Sequence, residues 1–170
     1  MQCVAFEAVA RGDARVLILG SLPGGESLRR GEYYGLAANR FWWIMGELVG
    51  AGPDLPYADR LGVLKQHRIA LWDVCASAFR PGSLDTDILL ASVVPNDFAA
   101  FFAAHPQIAL IGFNGRPAEK LYRDLVLKTL PPASAALPRA VLPSSSPAHA
   151  SMPPAAKLAQ WHAVLGGFVG

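Results

Sequence analysis

RVLILGSLPGGESLRRGEYYGLAANRFWW, residues 15–43, is the stretch whose reading decides the fold. Its first five residues, Arg15 to Leu19, form an apolar run that does not alternate with polar residues. That is the pattern of a strand covered on both faces in a parallel sheet. Gly20, Gly24 and Gly25 then cluster around Pro23 and turn the chain into a long loop, before an apolar stretch opens a helix over Phe41 to Val49. Three further runs share the strand character: Ile69 to Val74 (IALWDV), Ile108 to Ile111 (IALI) and Arg139 to Leu142 (RAVL). Helical stretches separate them. Ala58 to His67 is one, and Asp97 to Ala104, with Asn96 as its N-cap and a stop at His105-Pro106, is another. Pro117 suits the first turn of a helix reaching Lys128, and Pro153-Pro154 opens a last one ending at Gly166-Gly167. LPPASAALP reads as a surface loop. The alternation predicts an α/β fold, a three-layer αβα sandwich with a central four-stranded, mainly parallel sheet, in one domain over residues 1–170.

Composition narrows the class. Of the 170 residues, 52% are hydrophobic and 16% charged, enough for one buried core, yet no uninterrupted apolar run is long enough to span a bilayer. The opening MQCVAFEAVARGDAR lacks the basic start and apolar core of a secretion signal, so a cytoplasmic protein is expected. The formal net charge of +2 neither demands nor excludes a polyanionic partner. Arg29, Arg30 and Arg40 crowd one loop, and Arg116, Lys120 and Arg123 share a helix face; each group can neutralise phosphates or simply be a solvated surface. Cys3 and Cys75 stand far apart with no CxxC and no zinc-ligand spacing, so no metal and no other cofactor is expected. Cys75 reads as a buried thiol.

In three-layer α/β folds, ligands bind at the carboxyl ends of the strands. That rule selects Gly20 to Arg40, Asp73 to Asp87, Gly112 to Arg116 and Pro143 to Ser151. The first segment is not a phosphate-binding P-loop, because it lacks the GK[ST] ending, and it fails the GxGxxG spacing. Its glycines let backbone N–H groups face an anion or a flat ring. The last segment, LPSSSPAHASMPP, offers serine hydroxyls and amides that grip phosphates, on a loop stiffened by proline.

Together, GSLPG, YYG and NRFW with LPSSSPAH resemble the signature motifs of the uracil-DNA glycosylase superfamily, in order and at the proper strand ends. The combination is most similar to the hypoxanthine-DNA (deoxyinosine) glycosylase branch. The resemblance implies a base pocket of Gly20, Ser21, Leu22, Pro23, Gly24, Tyr34 and Asp73, and a DNA-gripping loop of Ser144, Ser145, Ser146, Pro147 and His149. Leu22 departs from the pattern: most relatives carry there the Asn or Asp that handles the catalytic water. The resemblance to that branch implies that the asparagine of NRFW serves instead, which makes Asn39 the catalytic candidate; an Asn at that place is also a natural helix cap. Tyr34 matches the aromatic that stacks on the flipped base, with Tyr33 as a competitor. Asp73 stands where relatives read the base with an Asn; ionised, it only accepts, and so suits the N1–H of hypoxanthine. A surface or capping aspartate is the alternative. Leu142 replaces the histidine of the uracil enzymes. Ser146, Pro147 or Ala148 is the wedge that enters the duplex.

The implied activity is a monofunctional glycosylase that flips out a deaminated base, hypoxanthine preferred, and hydrolyses its N-glycosidic bond, leaving an abasic site for base excision repair. All four lysines lie outside both motifs, so no Schiff-base amine is evident. The partner is DNA containing a deaminated base; no membrane partner is expected, and the protein is read as a monomer that joins the nucleoid when on DNA. The alternatives are a uracil or mismatch specificity on the same fold, a non-catalytic damaged-DNA-binding module suggested by Leu22, and a nucleotide hydrolase, which lacks both a P-loop lysine and a carboxylate cluster.

Overall fold

The computed structural model describes residues 1–169. In chain order the strands are β1 (Gln2–Val4), β2 (Val16–Gly20), β3 (Ile69–Asp73), β4 (Cys75–Phe79), β5 (Val94–Pro95), β6 (Leu110–Asn114) and β7 (Arg139–Leu142). The helices are α1 (Gly25–Arg30), α2 (Phe41–Val49), α3 (Tyr57–Gln66), α4 (Phe98–Ala104), α5 (Arg116–Leu121), α6 (Pro132–Ala135) and α7 (Pro154–Val169). The four expected strands form one sheet in the order β3-β2-β6-β7, every neighbouring pair parallel.

Each buried strand serves two cores, which explains its unbroken apolar character. Leu17 and Leu19 of β2 point into a core with Phe98, Phe101 and Tyr122 from the α4–α5 side. Val16 and Ile18 point to the opposite face, against Phe41, Ile44, Leu64, Trp161 and Leu165 of α2, α3 and α7. The αβα sandwich is therefore present, with the carboxyl ends of β2, β3, β6 and β7 along one rim.

Several local expectations are corrected. The stretch after Gly20 is not one long loop, because Gly25–Arg30 forms a helix within it. Glu26 sits in its first turn and binds Arg29 and Arg30 three and four residues on, and Gly31, at φ 68°, closes it in the left-handed conformation that favours glycine. Asp97, not Asn96, caps α4, accepting the Ala100 N–H at 3.1 Å. Asn96 instead donates its Nδ2 to the Asp73 carbonyl. The helix from Arg116 ends at Leu121 and continues as a wider π turn, Tyr122–Val126, and a 3₁₀ turn, Leu127–Thr129. The last helix runs through Gly166-Gly167 to Val169, since buried Leu165 and Val169 hold it against the sheet; tertiary packing outweighs the weak helix propensity of glycine. LPPASAALP contains the short α6.

One feature was not anticipated: a second, antiparallel sheet in the order β1-β4-β5. Its middle strand leaves Asp73 after a single residue, Val74, and pairs with the start of the chain. It thereby carries the segment after Asp73 back over the site rim.

Candidate active site

Gly20 and Asp73 are directly opposed in the β2–β3 register. A Cβ at position 20 would lie 2.6 Å from Asp73 Oδ1 and 3.3 Å from the Tyr34 hydroxyl. Both side chains thus converge over Gly20, and a glycine is required there by close approach rather than by backbone conformation. Asp73 is buried, which excludes the surface reading, and its Oδ2 has no hydrogen-bond partner. Burial, helped by the nearby Asp85 charge and opposed by the Arg80 charge, raises its carboxyl to about 7.

The two tyrosines divide the roles left open between them. Tyr33 is a core residue: it packs edge-on against Phe6 and its hydroxyl donates to the Glu7 carbonyl at 2.7 Å. Tyr34 has a left-handed backbone, φ 55°, an uncommon conformation for a bulky residue that costs about 1–3 kcal/mol. That turn lays its ring on Phe41 with centroids 4.0 Å apart and carries its hydroxyl to Gly20. One face of the Tyr34 ring is covered by Phe41.

Leu22 is buried in the core on the α4 side and presents nothing polar to the rim. Ser21 is buried and its Oγ donates to Asp85 Oδ1. Pro23 is buried, and its carbonyl accepts from Arg80 Nη2 at 2.6 Å. Gly24 precedes α1 and is partly exposed.

Asn39 lies at the entrance to α2. Its Oδ1 accepts the Phe41 N–H at 2.9 Å, so it does cap the helix, from one residue before the expected position. The bond fixes the amide while leaving Nδ2 and the second lone pair of Oδ1 available. The next residue, Arg40, donates its backbone N–H to the Ser145 carbonyl at 2.9 Å, which joins the NRFW segment to the serine loop.

The serine loop is anchored at several points. Asn114, ending β6, donates Nδ2 to Ser145 Oγ at 2.8 Å and accepts the Ser145 N–H at 2.9 Å. Trp161 donates to the Pro143 carbonyl, and the buried Lys157 donates Nζ to the His149 carbonyl at 2.7 Å. Ser145 is therefore buried and committed. Ser144 and Ser146 are partly exposed, each accepting a backbone N–H two residues on, while Pro147, Ala148 and His149 stand in solvent. Leu142 is fully buried at the base of the loop.

Asn114, Arg80 and Asp85 lie within the rim segments the sequence selects but carry no role there, and Lys157 is only one of the four lysines outside both motifs. For Asn114 a signal existed: a polar residue closing an apolar strand at the ligand-binding rim. Lys157 had none, because only folding brings it to the serine loop; Asp85 falls in the selected segment Asp73 to Asp87, where nothing local distinguishes it from Asp87. The basic groups separate as well. Arg29 and Arg30 pair with Glu26, Lys120 with Asp124 and Arg123 with Glu119, whereas Arg40 is exposed with no ion pair among the described residues. Cys3 and Cys75 are free and buried, and burial pushes the Cys75 thiol to about 12. No helix among the described residues is long and apolar enough to cross a membrane.

A glycine rim, a buried unpartnered carboxylate, a stacked aromatic and a tied serine loop converge at the strand ends of this α/β scaffold. Residues 6–165 match the family model described as the uracil DNA glycosylase superfamily, and the chain belongs to that superfamily, whose activity is that of a DNA glycosylase. It is 40% identical over 148 residues to a hypoxanthine DNA glycosylase of Methanosarcina acetivorans, covering 85% of this chain and 86% of that protein. A hypoxanthine DNA glycosylase of Methanosarcina barkeri is 37% identical over 117 residues, covering 68% and 73%. A solution NMR structure of a Methanosarcina acetivorans protein, named for uracil DNA glycosylase, superposes with a TM-score of 0.80 at 36% identity over 99% of each chain.

Proposed function

We propose that this protein excises hypoxanthine from DNA as a monofunctional glycosylase, acting as a monomer in the cytoplasm. The observation that carries the substrate reading is the buried Asp73 carboxyl, unpartnered at Oδ2, beside Gly20 and the Tyr34 hydroxyl. A buried polar atom without a partner is costly, and a ligand that supplies the missing hydrogen bond removes the penalty.

The sequence of events follows from these positions. A deaminated base pairs poorly, so extruding it costs less than extruding a normal base. Pro147 and Ala148, exposed on the anchored loop, enter the duplex, and Ser144, Ser146, His149 and Arg40 lie beside the phosphates. The base stacks on the face of Tyr34 not covered by Phe41. Ionised Asp73 accepts the N1–H of hypoxanthine and repels the N1 lone pair of adenine. Asn39, fixed through Phe41, orients a water toward C1′ and turns its carbonyl dipole to the developing positive charge on the sugar. The C1′–N9 bond breaks with its electron pair leaving on the base; the water oxygen bonds to C1′, and one water proton ends on the base. Lys157, the lysine beneath the serine loop, is held by the His149 carbonyl, and a water rather than an amine is the nucleophile in this reading.

Single-turnover assays on duplexes carrying hypoxanthine, uracil or adenine test the reading. Hypoxanthine excision at least about tenfold faster than uracil excision is expected, with no borohydride-trapped adduct. Faster release of uracil would overturn the substrate assignment.

A further inference from the structure

Arg80 follows β4 and is only 2% exposed, the most deeply buried charged side chain of the molecule. It makes no ion pair among the described residues. Its Nε donates to the Gly82 carbonyl at 2.7 Å and its Nη2 to the Pro23 carbonyl at 2.6 Å, while Nη1 is buried without a partner. A guanidinium withdrawn from water and left unpaired is a large cost unless its charge serves something nearby. Two carboxyls, Asp73 and Asp85, feel that charge, and it favours the ionised form of both.

The segment around Arg80 is stitched to the glycine loop at three successive points. Arg80 holds the Pro23 carbonyl, Ser83 Oγ accepts the Gly25 N–H at 3.3 Å, and Asp85 accepts from Ser21 Oγ. The charged or titratable groups influencing Asp73 are Asp85 and Arg80; Tyr33, Tyr34 and Cys75 also lie within electrostatic reach, but burial keeps all three neutral across the physiological range. Arg80, bonded to the Pro23 carbonyl of the glycine loop, is thus the cation among the described residues whose charge opposes both acids.

We propose that Arg80 is a positioning residue for base recognition: it fixes the Pro23 turn and keeps Asp73 in its hydrogen-bond-accepting form. The proposal rests on the reading that Asp73 receives the base. Without the cation, Asp73 takes up a proton and offers a donor where hypoxanthine also has a donor, so excision falls without any direct contact between Arg80 and the base.

The test is the pH profile of single-turnover hypoxanthine excision between pH 5 and 9 for wild type, Asp73→Asn, Arg80→Met and Arg80→Lys. Wild type loses rate on the acid side as Asp73 protonates, and Asp73→Asn removes that limb. Arg80→Met moves the limb upward by about one pH unit, a tenfold loss on its acid side. Arg80→Lys keeps the limb near its wild-type position with a slower plateau, because charge survives and the two-pronged grip does not. A limb that persists in Asp73→Asn refutes the Asp73 reading. A limb that Asp73→Asn abolishes but Arg80→Met leaves in place refutes the role of Arg80 alone. Should Arg80→Met not fold, Arg80→Lys decides: a limb displaced by a full unit despite the retained charge overturns the proposal.

Discussion

The glycine loop and the serine loop are both rich in small residues and flank the same rim, yet they differ in how their polar groups are satisfied. Around the glycine loop, hydrogen-bonding capacity is left over: Asp73 Oδ2 and Arg80 Nη1 are buried without partners. In the serine loop, Ser145 is engaged by Asn114, Pro143 by Trp161 and His149 by Lys157. The first region is unfinished in a way that a ligand completes. The second is finished internally and offers shape and exposed small side chains. On the proposed function, the difference gives base chemistry to the first and mechanical grip on DNA to the second.

The comparison breaks most severely at Asn39, whose neighbour Arg40 ties its segment to the serine loop. Asn39→Ala is expected to reduce single-turnover excision by about 100-fold or more, while thermal denaturation shows a loss of only about 1 kcal/mol from the cap to Phe41. Comparable losses in rate and in folding would return Asn39 to a capping role.

Asp73→Asn separates function from stability. The Asp73 carboxyl stands at about 7 in the fold, against about 4 in an unfolded chain. Between those values the folded state binds more protons, so this group makes stability fall as pH rises from about 4 to about 7, with the full cost present above. The variant is therefore expected to lose hypoxanthine activity by about tenfold while melting at least about 3 °C higher at pH 8. The gain should vanish near pH 4; calorimetry at both values checks it, and a gain that is independent of pH would contradict the buried charge.

Asn114→Ala sharpens the contrast from the other side. It removes both bonds to Ser145 and is expected to cost about 1–3 kcal/mol. DNA affinity, followed by fluorescence anisotropy, should weaken, while the acid limb of the excision profile stays in place. A displaced limb would show that the loops are not independent.

The smallest effect concerns surface charge. Arg40→Ala should reduce the slope of log affinity against log salt by about one, because an unpaired arginine beside Ser145 is free to meet a phosphate. Arg29→Ala should change it less, since Glu26 already holds that guanidinium.

The central sheet was legible because short continuous apolar runs bounded by turn residues suit the strands of a parallel sheet; three runs lie within one residue of the observed strands, whereas β6 begins at Leu110 rather than Ile108, and the edge strand β7 buries only Leu142. The rim segments followed from the strand-end rule. The antiparallel sheet did not, since β4 pairs with residues at the far end of the sequence and carries no alternating pattern of its own. The helix inside the glycine loop was hidden by the glycines that bound it, although the Glu26, Arg29 and Arg30 spacing was a readable signal. Tyr33 and Tyr34 are adjacent and chemically alike; only the left-handed backbone of Tyr34 sends one to the core and the other to the rim.

The sequence by itself determined the sheet, the two rim loops and the superfamily, because periodicity and local motifs need no distant partner to be read. It also showed that Leu22 vacates the usual position for handling water. Tertiary structure alone decided that Asp73 is buried rather than exposed, that Ser145 is locked by Asn114, and that Arg80 lies beneath the glycine loop. Those facts depend on burial and on contacts between residues far apart in the chain, and a carboxylate or guanidinium acquires its chemistry from what surrounds it after folding.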